Sequence, residues 1–142
     1  MKINKYLEEL GLTQNDMMGY YDPTAPDDCA ASDPRNEVRE DGFCEREFFS
    51  LDYTLSIYIY SRLCYFRDNC AEGFVPGCLV GFCGDAEVSD LAQKKWLEIL
   101  DKMCRAFQIK IKGYTEGYEG LERAEVDEGM HYFVEYYDCL WT

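Results

Sequence analysis

The sequence predicts an all-α fold: a small helical bundle of three to four helices, with a long acidic N-terminal loop and a Gly/Cys-rich inter-helix loop. Three observations predict it. Apolar residues recur at helical spacing through long windows around 50–66, 89–112 and 121–141. Cap residues and glycines punctuate those windows where helices should begin and end. The only strand-like alternation, Ser56-Ile57-Tyr58-Ile59-Tyr60, sits inside a longer pattern of helical period.

At the N-terminus, Ile3, Tyr6, Leu7 and Leu10 share one face of a short helix, and Gly11 ends it. Thr13 and Asp16 resemble a capping pair for a brief second turn that stops at Gly19. Residues 19–41 carry Pro23, Pro26 and Pro34 among many acids and few core-forming side chains. They read as a loop or arm within a single domain spanning residues 1–142. Ser50 is placed to cap the next helix, and Asp52 favours its positive end. Leu51, Leu55, Tyr58, Ile59, Arg62, Leu63 and Phe66 form its stripe, which Ile57, Tyr60, Cys64 and Tyr65 widen almost all round. A helix so apolar is expected at the centre of a bundle.

Residues 69–88 read as a loop, with Gly73, Gly77, Gly81, Gly84 and Pro76. The following helix is the plainest. Ser89 is its expected N-cap, and Ala92, Trp96, Ile99, Leu100, Met103 and Phe107 its buried face. Lys94, Glu98, Asp101, Arg105, Gln108 and Lys112 line the opposite side. Glu98–Lys102 and Asp101–Arg105 stand at i,i+4 in the favourable order. Gly113 closes the helix, and Gly117 and Gly120 mark a turn. The last helix is expected from Leu121 to Trp141, with Val126, Met130, Phe133, Tyr137 and Leu140 inward.

Composition bounds the function. Apolar residues make up 47% of the 142, enough for a core without staples. Asp and Glu number 28 against 14 Lys and Arg, for a net charge of −14. Nucleic acids are bound through clustered basic side chains that displace counterions, so direct binding to them is not expected. An anionic membrane surface is disfavoured for the same reason. The acids are unevenly placed. Residues 16–47 hold ten of them against three arginines, and residues 116–138 hold eight against Arg123. Such segments suit a basic protein partner, although an acidic surface also serves solubility alone.

The first residues, Met1-Lys2-Ile3-Asn4-Lys5, lack the apolar core of an export signal, and no run reaches the roughly 18 apolar residues of a membrane span. The expectation is a cytoplasmic protein with reduced thiols. Cys64, Cys104 and Cys139 lie in helical patterns, where a thiol packs as a small hydrophobe. The metal candidates are Cys64, Cys70, Cys78 and Cys83, weak because no Cys-x-x-Cys pair occurs among them. Zinc would be the ion, and otherwise no cofactor is expected. His131, the one imidazole, falls on the polar face of the last helix with no nucleophile indicated beside it. The glycines of 73–84 lack the Gly-Lys-Ser/Thr of a phosphate loop, and the acids of 22–33 lack EF-hand order. No enzyme activity is expected.

The stretch Phe48-Phe49-Ser50-Leu51-Asp52-Tyr53-Thr54, with Arg62-Leu63 and Phe66, resembles a pattern found in small phage and prophage helical proteins. Trp96-Leu97-Glu98-Ile99-Leu100-Asp101-Lys102-Met103 with Phe107, and the terminal Tyr136-Tyr137-Asp138-Cys139-Leu140-Trp141, continue it. The resemblance covers residues 43–142 and implies a helical fold and a phage origin, hence a place in the host cytoplasm. It implies no activity. Charge and resemblance together suggest an inhibitor of a basic host nucleic-acid-binding protein, such as a CRISPR effector or other defence nuclease. Its carboxylates would mimic phosphates. The contact residues expected are Asp22, Asp27, Asp28, Asp33, Glu37, Glu40 and Asp41 in the first segment. In the second they are Glu116, Glu119, Glu122, Glu125, Asp127 and Glu128. The alternatives are a structural or accessory phage protein that self-associates as a homo-oligomer, or a zinc-binding module.

Overall fold

The computed structural model describes residues 4–12, 40, 41, 48, 50–80 and 86–141, with backbone alone for 80 and 86–89. Among these residues every regular element is helical and none is a strand. The chain is therefore all-α, as the periodicity predicts. It divides into two compact units, Met1–Ser61 and Arg62–Thr142.

In the first unit, α1 spans Lys5–Glu8. Asn4 caps it, its side-chain oxygen accepting from the Tyr6 N–H at 3.1 Å. Gly11 takes φ +69°, the left-handed conformation that reverses a helix end. Gly11 N–H then donates to the Glu8 carbonyl and Leu12 N–H to the Leu7 carbonyl, each at 2.9 Å. This paired closure satisfies carbonyls that the short helix leaves open. Tyr6 and Leu7 are buried, as their spacing predicts.

Helix α2 spans Leu51–Asn69 and runs through the boundary between the units. Its first backbone bond, from Thr54 N–H to the Ser50 carbonyl at 3.0 Å, puts Ser50 at the cap position. Its buried face matches the expected stripe only in part. Leu63, Ile57, Tyr60 and Cys64 are buried as expected, but Leu51, Leu55, Tyr58 and Tyr65 are exposed. Ser56 and Ser61, not expected there, are buried. Two serines survive there because their hydroxyls turn back onto their own helix. Ser56 donates to the Asp52 carbonyl at 2.7 Å, and Ser61 to those of Ile57 and Tyr58 at 3.3 and 3.1 Å. A serine satisfied in this way is nearly as easy to bury as alanine. Ser56→Ala is therefore expected to shift the urea-unfolding free energy by less than about 1 kcal/mol, since the lost hydrogen bond and the better helix propensity offset each other.

In the second unit the segment after α2 is not wholly loop. Helix α3 occupies Gly77–Val80, and α4 spans Ala86–Lys112, so α4 starts three residues before the expected cap at Ser89. Gln93 fastens the intervening turn. Its Nε2 donates to the Ala71 carbonyl at 2.9 Å, and its Oε1 accepts from Gly73 N–H at 3.1 Å. Ala92, Trp96, Ile99, Leu100, Met103 and Phe107 are all buried, as expected. Cys104, Ala106, Ile109 and Ile111 join them. Helix α3 packs on α4.

Gly113 ends α4, its N–H bonded to the Ile109 carbonyl at 2.8 Å. A side chain there would come within 2.8 Å of the Tyr118 ring, so the return of the chain is tight. Helix α5 spans Gly120–Glu135 and is followed by a 3₁₀ turn, η1, at Tyr137–Cys139. The last helix is thus shorter than the predicted Leu121–Trp141. Helices α4 and α5 lie antiparallel against each other: Trp96 meets Tyr136 near one end of the pair, and Arg105 meets Glu125 towards the other.

Candidate interaction surface

The acids of α5 face two ways. Glu128 bonds to Lys102, whose ammonium also stands 5.7 Å from the centre of the Tyr132 ring. That hydrogen bond raises the Lys102 pKa above the ordinary lysine value. Glu125 lies 3.5 Å from Arg105, which also donates to Gln108 at 2.9 Å. Asp127 lies 3.7 Å from Arg123, one turn away on the same helix. Two cations of α4, Lys102 and Arg105, therefore reach across to α5, although sequence spacing pairs them along their own helix. Asp101 follows the same rule: it takes Arg67 at 2.8 Å, not Arg105. Arg67 also bonds Asp68 at 2.8 Å, and this bond is the leading cause of its raised pKa.

Glu116, Glu119 and Glu122 remain apart from these pairs. All three are exposed and have no ion pair among the described residues. They sit on the turn into α5 and on its first turn. Glu119 holds the N-cap position with extended backbone and makes no side-chain cap bond. Negative charge near a helix N-terminus is favoured by the aligned peptide dipoles, which accounts for Glu119 and Glu122 locally. It does not require Glu116. Of the other expected contact acids, Glu40 and Asp41 are exposed in a turn. Asp22, Asp27, Asp28, Asp33 and Glu37 lie outside the described residues.

The cysteines are grouped by the fold in a way that spacing does not reveal. Cys64 and Cys104 are both buried, with hydrogen-bonded thiols. That bond and burial raise Cys104 far above the ordinary thiol range. Cys78 is exposed on α3, and the half-buried Cys139 of η1 has its thiol pKa raised, first by burial and then by Cys78. Cys70 is half-buried, and Cys83 lies outside the described residues. The expected set of four is not brought together among the described residues, and Cys64 lies against Cys104 instead. Among the described residues no three His, Cys, Asp or Glu side chains converge on a point that could hold a metal ion.

His131 is exposed, with Nε2 3.5 Å from Glu135 one turn on. Its ring lies 6.3 Å from that of Tyr132. Among the described residues no helix is long and apolar enough to cross a membrane.

Sequence reasoning misses two features. One is the Cys64–Cys104 pair, whose members stand on different helices. The other is the Trp96 indole N–H, fully buried without a hydrogen-bond partner among the described residues. No local pattern announces either. Compared with known proteins, the chain matches no protein-family model, no curated protein and no solved structure.

Proposed function

We propose that this chain is a non-enzymatic acidic binding protein whose partner is a basic, nucleic-acid-binding protein. The observation that carries it is the exposed trio Glu116, Glu119 and Glu122, without an ion pair among the described residues while Glu125, Asp127 and Glu128 take the nearby cations. Among the described residues Lys102, Arg105 and Arg123 pair with acids of α5, and the entrance of that helix stays negative. Carboxylates presented in this manner can meet Arg and Lys side chains that otherwise hold phosphates. The phage resemblance extends the proposal to an inhibitor of a host defence nuclease, a CRISPR effector being one instance.

Competition gives the test. The protein is titrated into complexes of a fluorescent DNA duplex with purified basic nucleases, at several salt concentrations. It is expected to displace the duplex. Its affinity should weaken at least tenfold between about 50 and 200 mM salt, because exposed charges are screened over about 10 Å. Glu116→Gln, Glu119→Gln and Glu122→Gln together should weaken it further without changing the helical circular dichroism. Affinity indifferent to both salt and the triple substitution would overturn the proposal.

A second reading rests on apolar exposure. Leu91, Leu121, Val134, Tyr137 and Trp141 all lie open to solvent, Leu121 at 86%. Residues of this kind favour self-association, as in a structural or accessory protein. Sedimentation over a concentration series separates the readings: a homo-oligomer that ignores basic partners supports this one.

A further inference from the structure

The tail of the second unit ends on a fastened pair of rings. Gln93 clamps the turn after α2 through Ala71 and Gly73, and Gly73 takes the left-handed φ of +76°. Phe74 N–H donates to the Ala71 carbonyl at 3.2 Å, which ties Phe74 to that clamp. Trp141 meets the Phe74 ring edge-on, with centres 4.8 Å apart. The tail that carries Trp141 is itself held. Trp96 packs on Tyr136 at 5.7 Å, and the N–H groups of Cys139 and Leu140 donate to the Tyr136 and Tyr137 carbonyls at 2.9 and 3.2 Å. Trp141 is nevertheless 60% exposed. Val75 and Leu140, next to the two rings in sequence, are only half-buried. Tryptophans are enriched among the side chains that anchor protein interfaces. One already held in place loses little freedom on binding.

Charge selects the occupant. The two segments that meet here, 68–80 and 132–142, carry Asp68, Glu72, Glu135 and Asp138 and no Lys, Arg or His. Asp68 is taken by Arg67, and Glu135 lies 3.5 Å from His131. Glu72, two residues before Phe74, and Asp138, three before Trp141, are exposed and have no ion pair among the described residues. We propose that Phe74 and Trp141 are a docking site for a basic amphipathic segment of a protein partner. Its apolar side chains cover the two rings, and its Lys or Arg side chains meet Glu72 and Asp138. A second copy of this chain fits poorly, because it brings the same carboxylates against each other. The inference rests on the reading of the chain as a binding protein for a basic partner, and adds what carboxylates alone do not supply. Apolar contact gives affinity that salt does not screen.

Two synthetic peptides of equal length and charge are the probes, one a lysine–leucine amphipathic helix, the other with glutamine in place of each leucine. Each carries a fluorescent label and is titrated with the full-length protein at several salt concentrations. The leucine peptide is expected to bind at least about tenfold tighter than the glutamine peptide. In the Trp96→Phe variant, where Trp141 is the one tryptophan left, its emission should shift to the blue as the peptide covers it. Trp141→Ala should lower the leucine peptide to the affinity of the glutamine peptide. Glu72→Gln together with Asp138→Asn should weaken it about fivefold at low salt and far less at high salt. Circular dichroism checks that the variants keep their helices. Glu116→Gln, Glu119→Gln and Glu122→Gln together should leave the leucine peptide bound as before, so a failed displacement of DNA and a failed docking site are separate results. Equal affinity for the two peptides overturns the proposal. So does binding of the leucine peptide that ignores Trp141→Ala or leaves the Trp141 emission unmoved. A Trp141 emission that shifts with protein concentration alone assigns the rings to a second copy, and overturns it as well.

Discussion

Gly129→Leu is expected to cost the protein more stability than any other single substitution on α5, about 3 kcal/mol or more in urea unfolding. Gly129 is buried in the middle of α5, where that helix crosses α4. A Cβ at this position would overlap the Lys102 carbonyl oxygen and the Ala106 methyl, and would stand 3.0 Å from the Lys102 carbonyl carbon. Two of these three atoms belong to the backbone of a helix, which cannot rotate aside as a side-chain end can. The helices must separate instead. Separation would loosen the Trp96–Tyr136 and Phe107–Phe133 ring contacts and pull Lys102 from Glu128.

Gly129→Ala is the more discriminating measurement, because two effects of known sign oppose each other. On an exposed helix face, alanine gains about 1 kcal/mol over glycine. At the crossing, a single methyl meets backbone on arrival, and overpacking of this kind costs about 1–3 kcal/mol. The overlap is expected to win, giving a net loss of stability. Ala124→Gly, on the exposed side of the same helix, calibrates the first effect and should cost about 1 kcal/mol. A stabilised Gly129→Ala would mean that the helices do not approach closely at Gly129.

This crossing also shows how far the sequence can be read. Helix α4 is legible residue by residue, since its apolar positions face one way and every expected core residue is buried. Helix α5 is less so. Its predicted inner line passes through Tyr137, which is 62% exposed, whereas the closest approach is made by a glycine. Apolar patterning follows large side chains and cannot register a contact made by the lack of one. Helix α2 fails in a related way: leucines look more burial-prone than serines, yet Ser56 and Ser61 hide their hydroxyls on the backbone while Leu51 and Leu55 stay in water. The acidic surface is half legible. Composition locates the 116–128 acids, but which of them are consumed depends on cations brought over by the hairpin. Glu125 and Glu128 are taken by α4 and Asp127 by Arg123, leaving Glu116, Glu119 and Glu122. The Cys64–Cys104 pair is beyond reach, because it joins segments whose approach is set by packing and not by spacing.

Trp96→Ala is expected to destabilise the protein by about 3–5 kcal/mol, the range for emptying a buried aromatic site. Trp96 is wholly buried and its ring packs against Tyr136, so the cavity would open beside the η1 turn. Trp96→Phe is expected to cost less than half as much. Phenylalanine keeps most of the ring contact and deletes the indole N–H, which has no acceptor among the described residues. A buried donor without a partner costs about 1–3 kcal/mol, and its removal returns that penalty. The smaller ring gives back part of this gain through lost apolar area and a residual void. The two terms nearly offset, whereas in Trp96→Ala the loss of the whole ring is far larger than the penalty recovered. Urea unfolding of both variants, followed by circular dichroism, measures the ratio. A Trp96→Phe loss equal to that of Trp96→Ala would show that the indole N–H is bonded in solution, with an ordered water in a polar pocket as its acceptor.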